Sequence, residues 1–120
     1  MRNLQSIIHQ NTERQASYLL ARFKEEAQTR SGFTMNHAGQ LINPTSGFAV
    51  AYKEAPLTLR GLQQELQANP ELNLGYWLEE GIGYTDLVNI IQDRETAIKQ
   101  GLMYNQRAIY DFNTNEVVWL

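Results

Sequence analysis

Eleven residues, Tyr76-Trp77-Leu78-Glu79-Glu80-Gly81-Ile82-Gly83-Tyr84-Thr85-Asp86, bring three carboxylates, two tyrosines and a tryptophan together. Acid–base chemistry needs two carboxyls converging on one bond, one of them held above its ordinary titration range. Glu79 and Glu80 are adjacent, so on a strand they point to opposite faces and do not converge. Asp86 lies across the hairpin that the stretch suggests, which makes Glu79 with Asp86 the pairing to consider. Hairpin tips are solvated, however, and an exposed carboxyl titrates near ~4, too low for acid work at neutral pH. The stretch therefore reads as a β-hairpin with an acidic turn, and a hydrolase using Glu79, Asp86 or His37 ranks last among the functions considered.

The imidazoles, His9 and His37, fall in different elements. A dyad of His37 with Thr45 or Ser46 requires the loop over 37–47 to fold back on itself, and no HExxH spacing offers a metal site. The same loop carries amides and hydroxyls of the kind ligand loops use, and Arg60 falls in the first turn of the following helix, where free backbone N–H groups favour an anion. His37, Asn43, Thr45, Ser46 and Arg60 are thus the candidate ligand-binding set, for a small anionic ligand or nucleotide. The glycine spacing and lysine of a phosphate loop are missing, and neither cofactor nor metal is expected.

The elements that must position these residues follow from periodicity. Residues 3–29 contain no Gly or Pro and repeat Leu4, Ile7, Ile8, Ala16, Leu19, Leu20, Phe23 and Ala27 at helical spacing, which predicts one long helix. Its polar stretch 9–15 includes Thr12 and Gln15 at capping-box spacing, so a kink or restart near Asn11 is expected. Period-two alternation predicts a first hairpin from strands 33–36 and 48–52, with a long polar connection around Leu41-Ile42. A second helix spans 56–69, capped by Thr58. Strands 74–78 and 84–91 flank a loop at 79–83. A third helix, capped by Asp93, should bury Ala97, Ile98, Leu102 and Met103. Strands 108–112 and 116–120 then close a last hairpin. The order α-ββ-α-ββ-α-ββ predicts an α+β fold, an antiparallel sheet of three hairpins with helices on one face.

Length and composition bound the rest. A chain of 120 residues, 42% hydrophobic, suits a single domain over 1–120, its long helix within 1–30 and an α+β body over 31–120. No cysteine and no long apolar run point to a cytoplasmic protein without a membrane partner. The net charge is −3, with residues 1–60 carrying +3 and residues 61–120 carrying −6. An acidic balance argues against nucleic acid, which selects a basic face.

Gly75-x-Trp77, Tyr84-x-Asp86, Asp93-Arg94-x-x-Ala97 and Asn105-Gln106-Arg107-Ala108-Ile109-Tyr110-Asp111 resemble the C-terminal pattern of small uncharacterised proteins of bacterial genomes, phages and plasmids. The match covers roughly 74–116 and carries no catalytic residue over. It implies an accessory or inhibitor protein of a mobile element, acting by binding.

An interaction protein is accordingly the favoured reading, with a homodimer or another protein as partner. The candidate contact residues are Leu4, Ile8, Leu19 and Phe23 on the long helix, and Tyr76, Trp77, Tyr104, Tyr110 and Trp119 on an aromatic sheet face. Alternation turns Trp77 away from Tyr76 and Leu78, so one of these sets must face outward if helices cover only one side. A small-molecule or nucleotide sequestering protein is the alternative.

Overall fold

The structure, a computed structural model, describes residues 4–120, with side chains from Asn11 onward. Its elements are α1 (Leu4–Ala27), β1 (Gly32–Asn36), β2 (Leu41–Ile42), β3 (Phe48–Glu54), α2 (Leu59–Ala68), β4 (Asn73–Glu79), β5 (Ile82–Ile91), α3 (Arg94–Met103), β6 (Ala108–Asp111) and β7 (Glu116–Trp119). The strands form one antiparallel sheet in the order β2-β1-β4-β5-β3-β6-β7, an α+β fold with the long helix first.

The expected restart in α1 does not occur. The Thr12 hydroxyl instead accepts hydrogen bonds from the Gln63 and Gln67 amides of α2, each at 3.4 Å, so Thr12 faces a second helix. The caps of α2 and α3 are those the sequence predicts: Thr58 accepts from the Gly61 N–H at 3.1 Å and Asp93 from the Thr96 N–H at 2.9 Å.

Two of the expected hairpins form, β4–β5 and β6–β7, and the first does not. The Asn36 carboxamide accepts from the backbone N–H groups of Ala38 and Gln40, and Gly39 takes a φ of +77°, so the chain reverses at once into the two-residue β2. Residues 43–47 then carry β3 to the far side of β5, leaving β4 and β5 between β1 and β3. The β4–β5 turn is also tighter than expected. Glu80 and Gly81, at φ of +50° and +81°, form a two-residue loop whose positive φ values match the strand twist.

Two apolar clusters hold the helices to the sheet. Ala16, Leu19 and Phe23 of α1 and Leu62 and Leu66 of α2 pack on Met35, Leu74 and Leu87. Phe23 meets Phe33 and Tyr76 at centroid distances of 5.1 and 5.8 Å, joining α1 to the β1–β4 pair. Ala97 of α3 packs on Phe48, Val50 and Ile109, with Ile91, Ile98 and Val118 at the margin. The buried stripe of α3 differs from expectation, because Leu102 and Met103 are 56% and 65% exposed. Gly101 decides this: a Cβ there would lie 2.6 Å from Leu120 and 3.0 Å from Ile109, so the helix approaches the sheet through its glycine.

Candidate functional site

Cross-strand partners share a face, as do residues two apart along a strand. Met35, Leu74 and Leu87 are in register, as are Phe48 with Ile91 and Ile109 with Val118. All of these sit in the two clusters, so the three helices cover one face of the sheet from β1 to β7. The positions of opposite parity, among them Trp77, Tyr84, Ile90, Tyr110, Val117 and Trp119, carry no helix among the described residues. Tyr84 is 50% and Trp119 64% exposed. The open face is aromatic.

At its middle lies β5, the fourth of seven strands. Trp77 pairs with Tyr84, and Asp86 pairs with Gly75 on one side and with Glu54 on the other. Gly75 brings no side chain to this row, and a Cβ there would meet Val88 Cγ1 at 2.9 Å, so the site accepts glycine. Burial first, and then the neighbouring Glu54 charge, push the Asp86 carboxyl above its ordinary value. Neither acid forms an ion pair among the described residues. Lys53 is the one basic residue in the described strands, and it turns to the helix side to pair with Glu65 of α2.

A stability effect follows from Asp86. A carboxyl whose folded-state pKa is raised favours the fold fully below its unfolded-state pKa, and that contribution is lost as the pH rises through the folded value. At neutral pH the ionised Asp86 is therefore a burden on the fold. Asp86→Asn is expected to raise the melting temperature at pH 7, with the gain shrinking below about pH 4, where the wild-type carboxyl is protonated in both states. Thermal melts from pH 3 to pH 8 check this, and a gain that persists undiminished at pH 3 would refute it.

The residues singled out from the sequence separate. Gln15 of α1 reaches His37 at both its Nδ1 (3.3 Å) and its carbonyl oxygen (3.2 Å), whereas the Ser46 hydroxyl donates to the Gln92 carboxamide at 2.9 Å. Three strand spacings, roughly 14 Å, lie between β1 and β3, so no His37–Ser46 dyad assembles. Asn43 and Thr45 are exposed beside Ser46. Arg60 begins α2 beyond the far end of β3, roughly 20 Å along the strand from the 43–47 loop, and the expected anion pocket is not formed. Glu79 pairs with Ile82, four residues from Asp86, which places the two acids roughly 13 Å apart along the hairpin.

Of the candidate contact residues, Leu19 and Phe23 are fully buried in the domain's own core, and Tyr76 lies on the helix-covered face against Phe23. The side chains of Leu4 and Ile8 lie outside the described residues. Tyr104 follows α3 with its ring 6.2 Å from that of Tyr52. Trp77, Tyr110 and Trp119 take the open face. Glu54 and Tyr84 join them without having been singled out from the sequence. Alternation through Tyr84, Asp86, Val88 and Ile90 was a signal for Tyr84, whereas nothing local announces that Glu54 pairs with β5.

A shallow cleft of about 590 Å³ opens on the helix side between the end of β3, α2 and β5, lined in part by Lys53, Pro56, Gly61, Glu65 and Thr85. Its one basic residue, Lys53, is already paired with Glu65, and Glu54 adds a second acid to the lining. No group of three or more metal-ligating side chains occurs among the described residues, and no described helix is long and apolar enough to cross a membrane. Comparison with known proteins finds no family model that matches the chain, and no curated protein or solved structure similar to it.

Proposed function

We propose that this chain is a small interaction protein that presents the open, aromatic face of its sheet to a protein partner. The observation that carries the reading is the one-sided placement of α1, α2 and α3, which leaves Trp77, Tyr84, Tyr110 and Trp119 on a face that no described helix covers. Aromatic side chains left on an open sheet face mark protein contacts, because such rings bring large contact area at low entropic cost. An accessory or inhibitor role on a mobile element, which the C-terminal motif implies, works through such a contact. The lack of cysteine suits a cytoplasmic setting.

Charge favours a different protein over a second copy. A twofold contact centred on β5 would bring two Glu54–Asp86 pairs together in a dry interface, where like charges repel strongly. The alternative of a small anionic ligand has less behind it, since the cleft lacks a free cation and the 37–47 loop and Arg60 lie at opposite ends of β3.

A photo-crosslinking amino acid at Tyr84 or at Trp119, with exposed Tyr18 of α1 as control, tests the reading in cell extract. The same adduct from both open-face positions and none from Tyr18 is expected. Equal labelling from all three sites, or an adduct whose mass is that of a second copy of the chain, would overturn it.

A further inference from the structure

We propose that the partner is read through a basic side chain: an arginine whose guanidinium lies on the Asp86 and Glu54 carboxylates beside the Trp77–Tyr84 pair. The inference rests on the docking reading above and names the chemistry of what docks.

Most acids described here with a shifted carboxyl have a structural task. Asp93 caps α3, Glu26 bridges Arg22 and Arg30 on α1, and Asp111 accepts from the Asn113 N–H at 2.8 Å. In each the carboxyl is held below its ordinary range, at Asp111 because burial, which pushes it up, is outweighed by the combined hydrogen bonds of Asn113 and Thr114, and at Asp93 and Glu26 chiefly by hydrogen bonds, so ionisation favours the fold. Asp86 is the opposite case: half-buried at mid-sheet, opposite a second acid, with no described cation and with ionisation opposed by its surroundings. A half-buried carboxylate facing a second acid, beside an aromatic pair on a face that no described helix covers, suits a cation arriving from outside. Val88 leans over Gly75 on one flank of the carboxylate, and the Trp77–Tyr84 pair lies one step along the same face. Ring faces beside carboxylates fit a planar guanidinium better than an ammonium, because it stacks on the rings while its N–H fork engages an acid in two bonds.

Titration with tetra-arginine amide, followed by amide chemical shifts, tests the proposal against tetra-citrulline amide, its neutral isostere. Saturable shifts centred on Gly75, Trp77, Tyr84 and Asp86 are expected with the arginine peptide alone. The double variant Glu54→Gln with Asp86→Asn should weaken binding roughly tenfold or more, as loss of a desolvated charge contact does. The tip variant Glu79→Gln with Glu80→Gln removes the same net charge and should leave affinity within about twofold, since exposed and distant charges are screened. Equal loss in the two variants, or equal binding of the citrulline peptide, overturns the proposal. If the crosslinks at Tyr84 and Trp119 survive in the Glu54/Asp86 variant, the face docks a partner without reading its charge, and the arginine assignment alone falls. Absence of those crosslinks in the wild type removes the docking reading itself.

Discussion

Replacing Phe23 with alanine is expected to lower the unfolding free energy by about 3–5 kcal/mol, a large part of the whole for a domain of this size. The ring is almost fully buried and is held by Phe33 and Tyr76, whose own centroids are 5.3 Å apart. It forms the junction at which α1 is fastened to β1 and β4, with Leu19 one turn earlier and Met35 and Leu74 in the same cluster. Truncation there loses the transfer energy of the ring and leaves a cavity that a sheet on one side and a helix on the other cannot close. Phe23→Leu keeps most of the volume and should cost less than about 1.5 kcal/mol. Urea denaturation decides between these outcomes, provided the slope with denaturant is unchanged. A loss under about 1 kcal/mol for the alanine variant would mean that α1 is not anchored through this ring.

Ile109→Ala should cost about 2–5 kcal/mol, and its effect should reach the whole domain. Ile109 belongs to the second cluster, under α3, yet β3 and β5 run through both clusters: β5 supplies Leu87 to the first and Ile91 to the second. Because the two cores share their central strands, the sheet should unfold in one step. Trp77 on β4 and Trp119 on β7 report opposite halves, so a pair of single-tryptophan variants in the Ile109→Ala background should melt at the same urea concentration. Separated midpoints would show that α3 with β6 and β7 is a unit of its own. The same site allows a coupling test. Gly101→Ala alone drives a methyl against Ile109 and Leu120, whereas in the Ile109→Ala background the methyl enters the vacated space, so the two substitutions should be less than additive.

Three helices, strands at each alternating segment, the caps at Thr58 and Asp93, and the hairpin from Tyr76 to Asp86 were all legible in the chain, because each is fixed by contacts a few residues apart. The burial of α3 was not: Leu102 and Met103 look like its apolar side, and only the close approach at Gly101 shows that they stay exposed. The first hairpin departs from expectation for a related reason. Both β1 and β3 have strand patterns, but a pattern names a face and not a neighbour, and the tight turn at 37–40 gave β1 a different partner.

The candidate site divides along the same line. Alternation by itself sets Trp77 apart from Tyr76 and aligns Tyr84 with Asp86. That Trp77 and Tyr84 look outward, that Glu54 stands beside Asp86, and that His37, Ser46 and Arg60 disperse were decided when β3 crossed over to pair with β5, after a turn, a helix and another strand intervened in the chain. Local periodicity acts over one turn or one pleat, so the sequence carries it openly. The choice of strand neighbour depends on which apolar faces can be buried together, and that is a property of the assembled sheet.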